Sequence, residues 1–382
     1  MQKERIISVD ILRGLVMVIM ALDHMRDYST MYHFNPEDLT QTTIPLFFTR
    51  WITHFCAPVF MFVAGVGTGL GEIAGKSKKE LSHFLWTRGV WLIILEFTII
   101  RFAWFFDVNY YLLPLLVIWA LGICMIFLAA IIYLPKKVIL SIGLIMIFGH
   151  NILDQFHAGD MGIFSSVWRI FHEESVINLG SLAILVKYPL IPWIGVMAVG
   201  YVFADLYRSD AGIRQRRMLI IGTGFTLLFL IIRGINIYGD PNPWSAQSTL
   251  GKSIVSFLNA TKYPPSLVYL LMTLGPSIIL LSIFEKIKGP VANFLIVFGR
   301  VPMFFYILHL YLIQVFSMAL GLHQGFSFKE LSVAFFNFPQ EFGYNLYVTY
   351  ALWILLIAVL YPVCKWYMDL KKRRSHPLFS YI

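Results

Sequence analysis

The sequence predicts an all-α integral membrane protein with about ten transmembrane helices, and three observations support this prediction. Of the 382 residues, 58% are hydrophobic and only 13% are charged, whereas a soluble domain carries about 25% charged residues. The mean hydropathy is +0.72. Long apolar runs recur along the whole chain. Because so apolar a chain cannot bury its side chains in one core surrounded by water, we expect lipid to be its solvent.

Ten segments of the chain are long and apolar enough to cross a bilayer. They cover residues 8–25, 47–71, 81–105, 110–133, 137–155, 187–207, 216–237, 265–285, 291–320 and 346–369. The ninth segment contains Gly299, Arg300 and Pro302, and this pattern predicts a break or kink. We expect one bundle, with residues 1–382 forming a single polytopic transmembrane domain.

Basic residues mark one side of the predicted bundle. They occupy alternate connections and both chain ends, at Lys3, Arg5, Lys76, Lys78, Lys79, Lys136, Lys137, Arg208, Arg214, Arg216, Arg217, Lys286, Lys288 and residues 371–374. Because cytoplasmic loops are enriched in lysine and arginine, both termini are expected in the cytoplasm, which requires an even number of spans. The net charge of +9 therefore reflects topology, and the expected surroundings are membrane lipids and not nucleic acid.

Polar residues inside the predicted helices are the candidates for a functional site, because a charge near the bilayer centre costs about 2.5–3.5 kcal/mol. A rise of about 1.5 Å per residue places the polar residues of six helices at one outer depth. They are Asp23, His24, Arg50, His54, Arg101, His150, Asn151, Asp154, Arg233, Asn236 and His309. We expect a wet outer vestibule in the bundle, although hydrogen-bonded core residues would give the same pattern.

His24 is the strongest candidate for a catalytic residue. Histidine titrates near pH 6.5, so it can take a proton from a hydroxyl or amine at neutral pH. Asp23, Asp27 or another carboxylate could orient the imidazole ring. His54 or Arg50 could hold a second substrate or stabilise an oxyanion. The histidines follow no metal-ligand spacing, so no metal site is expected.

Several motifs carry a resemblance to a known family. Residues 8–14 (SVDILRG) and 20–24 (MALDH) resemble the start of a membrane acyltransferase superfamily that includes the acyltransferase-three proteins. The hallmark of those proteins is an arginine, ten residues and a histidine, which Arg13 and His24 match. Further motifs are residues 47–58 (FFTRWITHFCAP), 188–195 (YPLIPWIG), 262–266 (KYPPS), 298–302 (FGRVP) and 309–311 (HLY). Together they resemble the bacterial family related to the catalytic domain of heparan-α-glucosaminide N-acetyltransferase.

This resemblance implies a donor, an acceptor and a compartment. The donor would be acetyl-CoA or another acyl-CoA, with its phosphates held near the cytoplasmic surface by Arg13 and Arg300. The acceptor would be a periplasmic or luminal glycan or amino sugar. Its expected binding residues are Arg50, Asp27, Arg101, Arg233 and His309, with His24, Asp23 and His54 as catalytic residues. The resemblance implies the bacterial inner membrane as the location.

Two questions stay open at this stage. In the lysosomal member of the family the position of His24 is asparagine, and the catalytic histidine lies in the following loop, near His33 of this chain; both histidines are therefore candidates. A transporter or flippase for a polar solute or glycolipid is the alternative function, because it too would use a broken helix and buried charges. The absence of an internal repeat and the one-sided polar residues favour the enzyme, and the oligomeric state is left open.

Overall fold

The computed structural model describes residues 6–332 and 337–373 and is 74% helical. This confirms the predicted class, an all-α integral membrane protein. Lys3, Arg5 and Arg374, which contribute to the predicted orientation, lie outside the described residues. The helices of the first half are α1 (Ile7–Ser29), α2 (Ile44–Trp51), α3 (Cys56–Ile73), α4 (Lys78–Leu95), α5 (Arg101–Phe105), α6 (Val117–Ile131), α7 (Lys136–Gly149) and α8 (Ser165–His172).

The second half of the chain is also mainly helical. Its helices are α9 (Leu190–Phe203), α10 (Ala211–Ile235), α11 (Leu250–Leu258), α12 (Leu267–Phe284), α13 (Pro290–Arg300), α14 (Pro302–His323), α15 (Phe328–Leu331) and α16 (Leu346–Arg373). The chain breaks between α13 and α14 at Val301, whose φ of −130° and ψ of 49° are not helical. This confirms the break predicted from Gly299 and Pro302.

Seven helical segments among the described residues are long and apolar enough to cross a membrane. They are Ile44–Ile73, Lys136–Gln155, Leu190–Arg208, Ala211–Ile235, Leu267–Phe284, Pro302–His323 and Leu346–Arg373. The other three predicted segments are also helical, but α1 and α4 carry several charges and α6 is short. The total of ten spans therefore stays a prediction.

A small sheet replaces the start of the predicted fourth segment. Residues 110–133 were expected to form one helix, whereas β1 (Leu112–Leu115) precedes α6. β1 pairs in parallel with β3 (Leu182–Val186), which pairs antiparallel with β2 (Ser175–Leu179). The prediction was wrong here because an apolar run of a few residues is compatible with a strand or a helix, and the strand's partners come from a distant loop.

Helix α1 lies in the core and packs closely against α13. A Cβ atom on Gly14 would lie 1.9 Å from the carbonyl oxygen of Leu295. A Cβ atom on Gly299 would lie 1.9 Å from the carbonyl oxygen of Asp10. Only glycine allows this approach of the two backbones. The crossing fixes α1, and with it the polar residues of its last turns, relative to the break before α14.

Candidate active site

A cavity of about 880 Å³ lies at the end of the bundle where α1 ends. We call it the outer cavity. Its walls come from the last turns of α1, the loop at residues 30–43, α2 and α3, the small sheet, and the loop at residues 259–266. Among the predicted site residues, those that line it are Asp23, His24, Asp27, His33 and Arg50. The structure thus brings both candidate bases into one cavity.

The ring of His24 is held by a second histidine. Nδ1 of His24 lies 2.7 Å from Nε2 of His309, and Nδ1 of His309 lies 3.1 Å from the carbonyl oxygen of Phe305. Trp104 packs with its ring edge-on to that of His24, with the ring centroids 4.9 Å apart. His309 is fully buried and is absent from the described residues that line the cavity. It therefore contacts His24 from behind.

The hydrogen bonds of this pair determine where the protons lie. A carbonyl oxygen can only accept, so Nδ1 of neutral His309 donates to Phe305 and its Nε2 is an acceptor. Nδ1 of His24 must then donate to that Nε2. This leaves a lone pair on Nε2 of His24, which has no hydrogen-bond partner among the described residues. A cavity-lining histidine in this tautomer can accept a proton.

A network of ion pairs surrounds Arg50. Its Nη1 donates to the carboxylate of Asp23, and its Nε donates to Oε1 of Glu37 at 3.0 Å. Asp23 also contacts Arg26 at 2.9 Å. The carboxylate of Asp23 thus pairs with arginines, while the hydrogen-bond partner of the His24 ring is His309.

His54 lies behind this network. Its Nε2 is 2.7 Å from Oε1 of Glu37, its side chain is fully buried, and it is not one of the described residues that line the outer cavity. Burial by itself would raise the pKa of Glu37, but Arg50 and His54 outweigh this effect and hold that pKa well below its ordinary value. His54 therefore reaches the cavity only through Glu37.

Arg101 and Arg233 have a different environment. Arg101 donates to the carbonyl oxygens of Asp107 and Asn109, in the loop that follows α5, and of Leu112 at the start of β1. Arg233 donates to four carbonyl oxygens of the segment between α10 and α12, which includes α11, at 2.7–3.1 Å. Neither appears among the described residues of the cavity wall. Both arginines hold loops in place, and their predicted contact with a substrate is not seen in the geometry.

The outer cavity also contains residues for which the sequence predicted no role. They are Arg26, Glu37, Lys187, Tyr188, Lys262 and Tyr263. Tyr188 belongs to the motif at residues 188–195, and Lys262 and Tyr263 belong to the motif at residues 262–266, so the motifs were a usable signal for them. Glu37 comes from a loop, where an acidic residue carries no information about depth.

A second, smaller cavity of about 300 Å³ lies further along α1 towards its N-terminus. We call it the inner cavity. Its lining is mostly apolar but includes Arg13 and Arg88. Phe60, Val117 and Tyr306 line both cavities, so the two meet at these three side chains. Together, the two cavities extend along α1 from Arg13 to His24.

Arg300 does not line the inner cavity in the described part of the chain. Its Nε donates to Oδ2 of Asp10 at 3.3 Å, and Arg13 contacts the same carboxylate at 3.6 Å. Arg13 also donates to the carbonyl oxygen of Gly299 at 3.2 Å. The two predicted phosphate-binding arginines thus share one acid at the crossing of α1 and α13. The described residues include no group of three or more histidine, cysteine, aspartate or glutamate side chains that could hold a metal ion.

A comparison against known families agrees with this fold. The model of the catalytic domain of heparan-alpha-glucosaminide N-acetyltransferase matches residues 5–238, more than half of the chain. By class the protein is a membrane acyltransferase. It belongs to the heparan-alpha-glucosaminide N-acetyltransferase catalytic family, which confirms the resemblance seen in the motifs. No curated protein matches the chain. Arg300 and His309 lie beyond the matched residues, and the roles expected for all the site residues stay predictions.

Proposed function

We propose that the protein transfers an acetyl or other short acyl group from cytoplasmic acyl-CoA to a sugar hydroxyl or amine in the outer cavity, with His24 as general base. The observation that carries this proposal is the meeting of the two cavities at Phe60, Val117 and Tyr306, next to His24. Acyl-CoA is too polar to cross a bilayer, so donor and acceptor need separate entrances that converge on one base. The proposed location is the bacterial inner membrane.

The donor would enter through the inner cavity. Arginine binds phosphate groups well because its donors form a fixed fork. Arg13 and Arg88 flank this cavity, and Arg300 lies beside Arg13 through their common contact with Asp10. The nucleotide would stay on the cytoplasmic side of these arginines. The mostly apolar lining suits a pantetheine arm, and its thioester would reach past Tyr306 to His24.

His24 would act on the acceptor. Nε2 of His24 takes the proton of the acceptor O–H or N–H while the acceptor oxygen or nitrogen attacks the thioester carbonyl carbon. The tetrahedral intermediate then expels the CoA sulfur, which takes the proton back from His24, giving free CoA and the acylated sugar. The His24 imidazolium keeps its Nδ1 hydrogen bond to His309 throughout. General base catalysis of this kind contributes about 10²–10⁴-fold to a rate.

The ion-pair network would bind and position the acceptor. Asp23 and Glu37 hold Arg50 from two sides, so its guanidinium group has a fixed direction in the cavity wall. Asp27 lines the same wall, and we assign both side chains to binding of the acceptor. His54 acts indirectly, through its hydrogen bond with Glu37. Asp23 and His54 are therefore positioning residues in this proposal.

The test uses purified protein and acetyl-CoA labelled in the acetyl group. Wild type should transfer the label to a sugar or release it to water, and His24→Ala should lower that rate at least about 100-fold. His33→Ala is the matched control, because His33 lines the same cavity but its Nε2 bonds to the carbonyl oxygen of Phe342. Equal losses in both variants, or full activity of His24→Ala, would contradict the assignment of His24 as the base.

A further inference from the structure

Lys262 is a buried cation in the outer cavity, and no described acid forms an ion pair with it. Lys262 is only 6% exposed and lines the cavity together with His24. Its ammonium group lies 5.1 Å from the centroid of the Tyr263 ring. A buried charge without a counter-charge in direct contact is costly. The residue therefore calls for an explanation that the transfer chemistry does not supply.

The acids of the cavity wall are already paired. Asp23 pairs with Arg26 and Arg50, Asp27 with Arg26, Glu37 with Arg50 and His54, and Glu174 with Lys187. Asp38, which is half-buried, accepts hydrogen bonds from Thr40 and Gln41. No described acid of the wall is left for Lys262.

Three cations, Lys262, Arg50 and Lys187, surround the ring of Tyr263. The ammonium group of Lys187 lies 4.2 Å from the centroid of the Tyr263 ring. Burial by itself would raise the pKa of Tyr263, but Lys262, Arg50 and Lys187 outweigh it and lower that pKa below its ordinary value. A hydrogen bond with Tyr188 acts in the same direction, but the three cations are the larger causes. An anion entering the cavity would be stabilised at the same place.

We propose that the acceptor carries an anionic group, a phosphate or a carboxylate, which binds Lys262 and Arg50 beside Tyr263. The inference deepens the proposed function and rests on it, because it names the chemical class of the acceptor. Lys262 supplies a point charge, and Arg50 has a guanidinium nitrogen, Nη2, beyond those that bond to Asp23 and Glu37. Binding there would place the acceptor in the cavity that also contains His24.

The test measures binding without acetyl-CoA. Glucose, glucuronate and glucose 6-phosphate share one ring and differ in charge, so each is titrated into the full-length protein in detergent. Wild type should bind at least one of the two anionic sugars tenfold or more tightly than glucose, and the better of the two identifies carboxylate or phosphate. Lys262→Gln should lose that preference. Lys252→Gln, which changes an exposed lysine on α11, should keep it.

Three results would overturn the inference. Equal binding of the three sugars by wild type would do so, and this comparison holds even if Lys262→Gln does not fold. So would a preference that survives in Lys262→Gln. In acetyl transfer, an equal loss of rate with charged and neutral sugars would place Lys262 at the oxyanion instead. By contrast, selective binding of the anionic sugars without any acetyl transfer would refute the proposed function and leave the anion site standing.

Discussion

Three arginines lie at the same end of the bundle but have different partners: Arg50 is in the wall of the outer cavity, whereas Arg101 and Arg233 are outside it. Arg50 contacts the carboxylates of Asp23 and Glu37 and lines the cavity. Arg101 and Arg233 donate their hydrogen bonds to backbone carbonyl oxygens, each has one acid at a longer distance of 3.5 or 3.8 Å, and both are fully or almost fully buried. Depth in the membrane predicts that an arginine has buried partners. Only the identity of those partners tells whether it belongs to a site or to the scaffold.

The largest expected effect is on stability, at Arg233. Arg233→Met leaves four carbonyl oxygens without their donor and the buried Asp240 without its nearby cation, so we expect the free energy of unfolding to fall by about 3–5 kcal/mol. Thermal unfolding in detergent measures this. Arg216→Met, on the exposed face of the same helix, should have little effect. If Arg233→Met kept its stability but lost acetyl transfer, Arg233 would belong to the functional site, as Arg50 does, and not to the scaffold.

The next effect is on chemistry, at His309. His309→Phe removes the acceptor for Nδ1 of His24, so we expect acetyl transfer to fall by about 100-fold while the unfolding temperature changes little. His309→Gln keeps an acceptor atom in the side chain and should recover part of the rate. Steady-state rates with acetyl-CoA, measured beside unfolding curves, separate the two effects. A rate loss in His309→Gln as large as in His309→Phe would argue against a role in orienting His24.

The smallest effect concerns the pH dependence of stability, at Glu37. Because the pKa of Glu37 is held well below its ordinary value of 4.5, its ionised form stabilises the folded state above that pH. The contribution is lost as the pH falls through the lower folded-state pKa. We therefore expect Glu37→Gln to cost about 2 kcal/mol at neutral pH, and the gap to wild type to narrow below about pH 4.5. A gap that does not depend on pH would show that the ionised carboxylate is not what stabilises this network.

Much of the fold follows from the sequence because one physical requirement dominates it. Apolar segments in lipid must satisfy their own backbone hydrogen bonds, so each becomes a helix. The break at Val301 could be predicted from Gly299 and Pro302 for a similarly local reason. The short strand at Leu112–Leu115 could not, because its partners lie some seventy residues later in the chain.

The candidate site was only partly predictable, since its contacts are not local. His24, Asp23, Asp27 and Arg50 could be placed at the outer end of the bundle by counting residues along helices. The pairing of His24 with His309 joins residues 285 positions apart, and no spacing rule describes it. Lys262 was visible only as part of a motif. Only the structure shows that the acids around Lys262 are already paired with other cations.

Transfer across the membrane is the central claim, and proteoliposomes test it most directly. Acetyl-CoA labelled in the acetyl group is sealed inside the vesicles, and a mixture of glucosamine, N-acetylglucosamine and glucuronate is added outside. The account predicts labelled external sugars with wild type and His33→Ala, and at least about 100-fold less label with His24→Ala. External label that stays at background with wild type, or that is equal with His24→Ala, would contradict it.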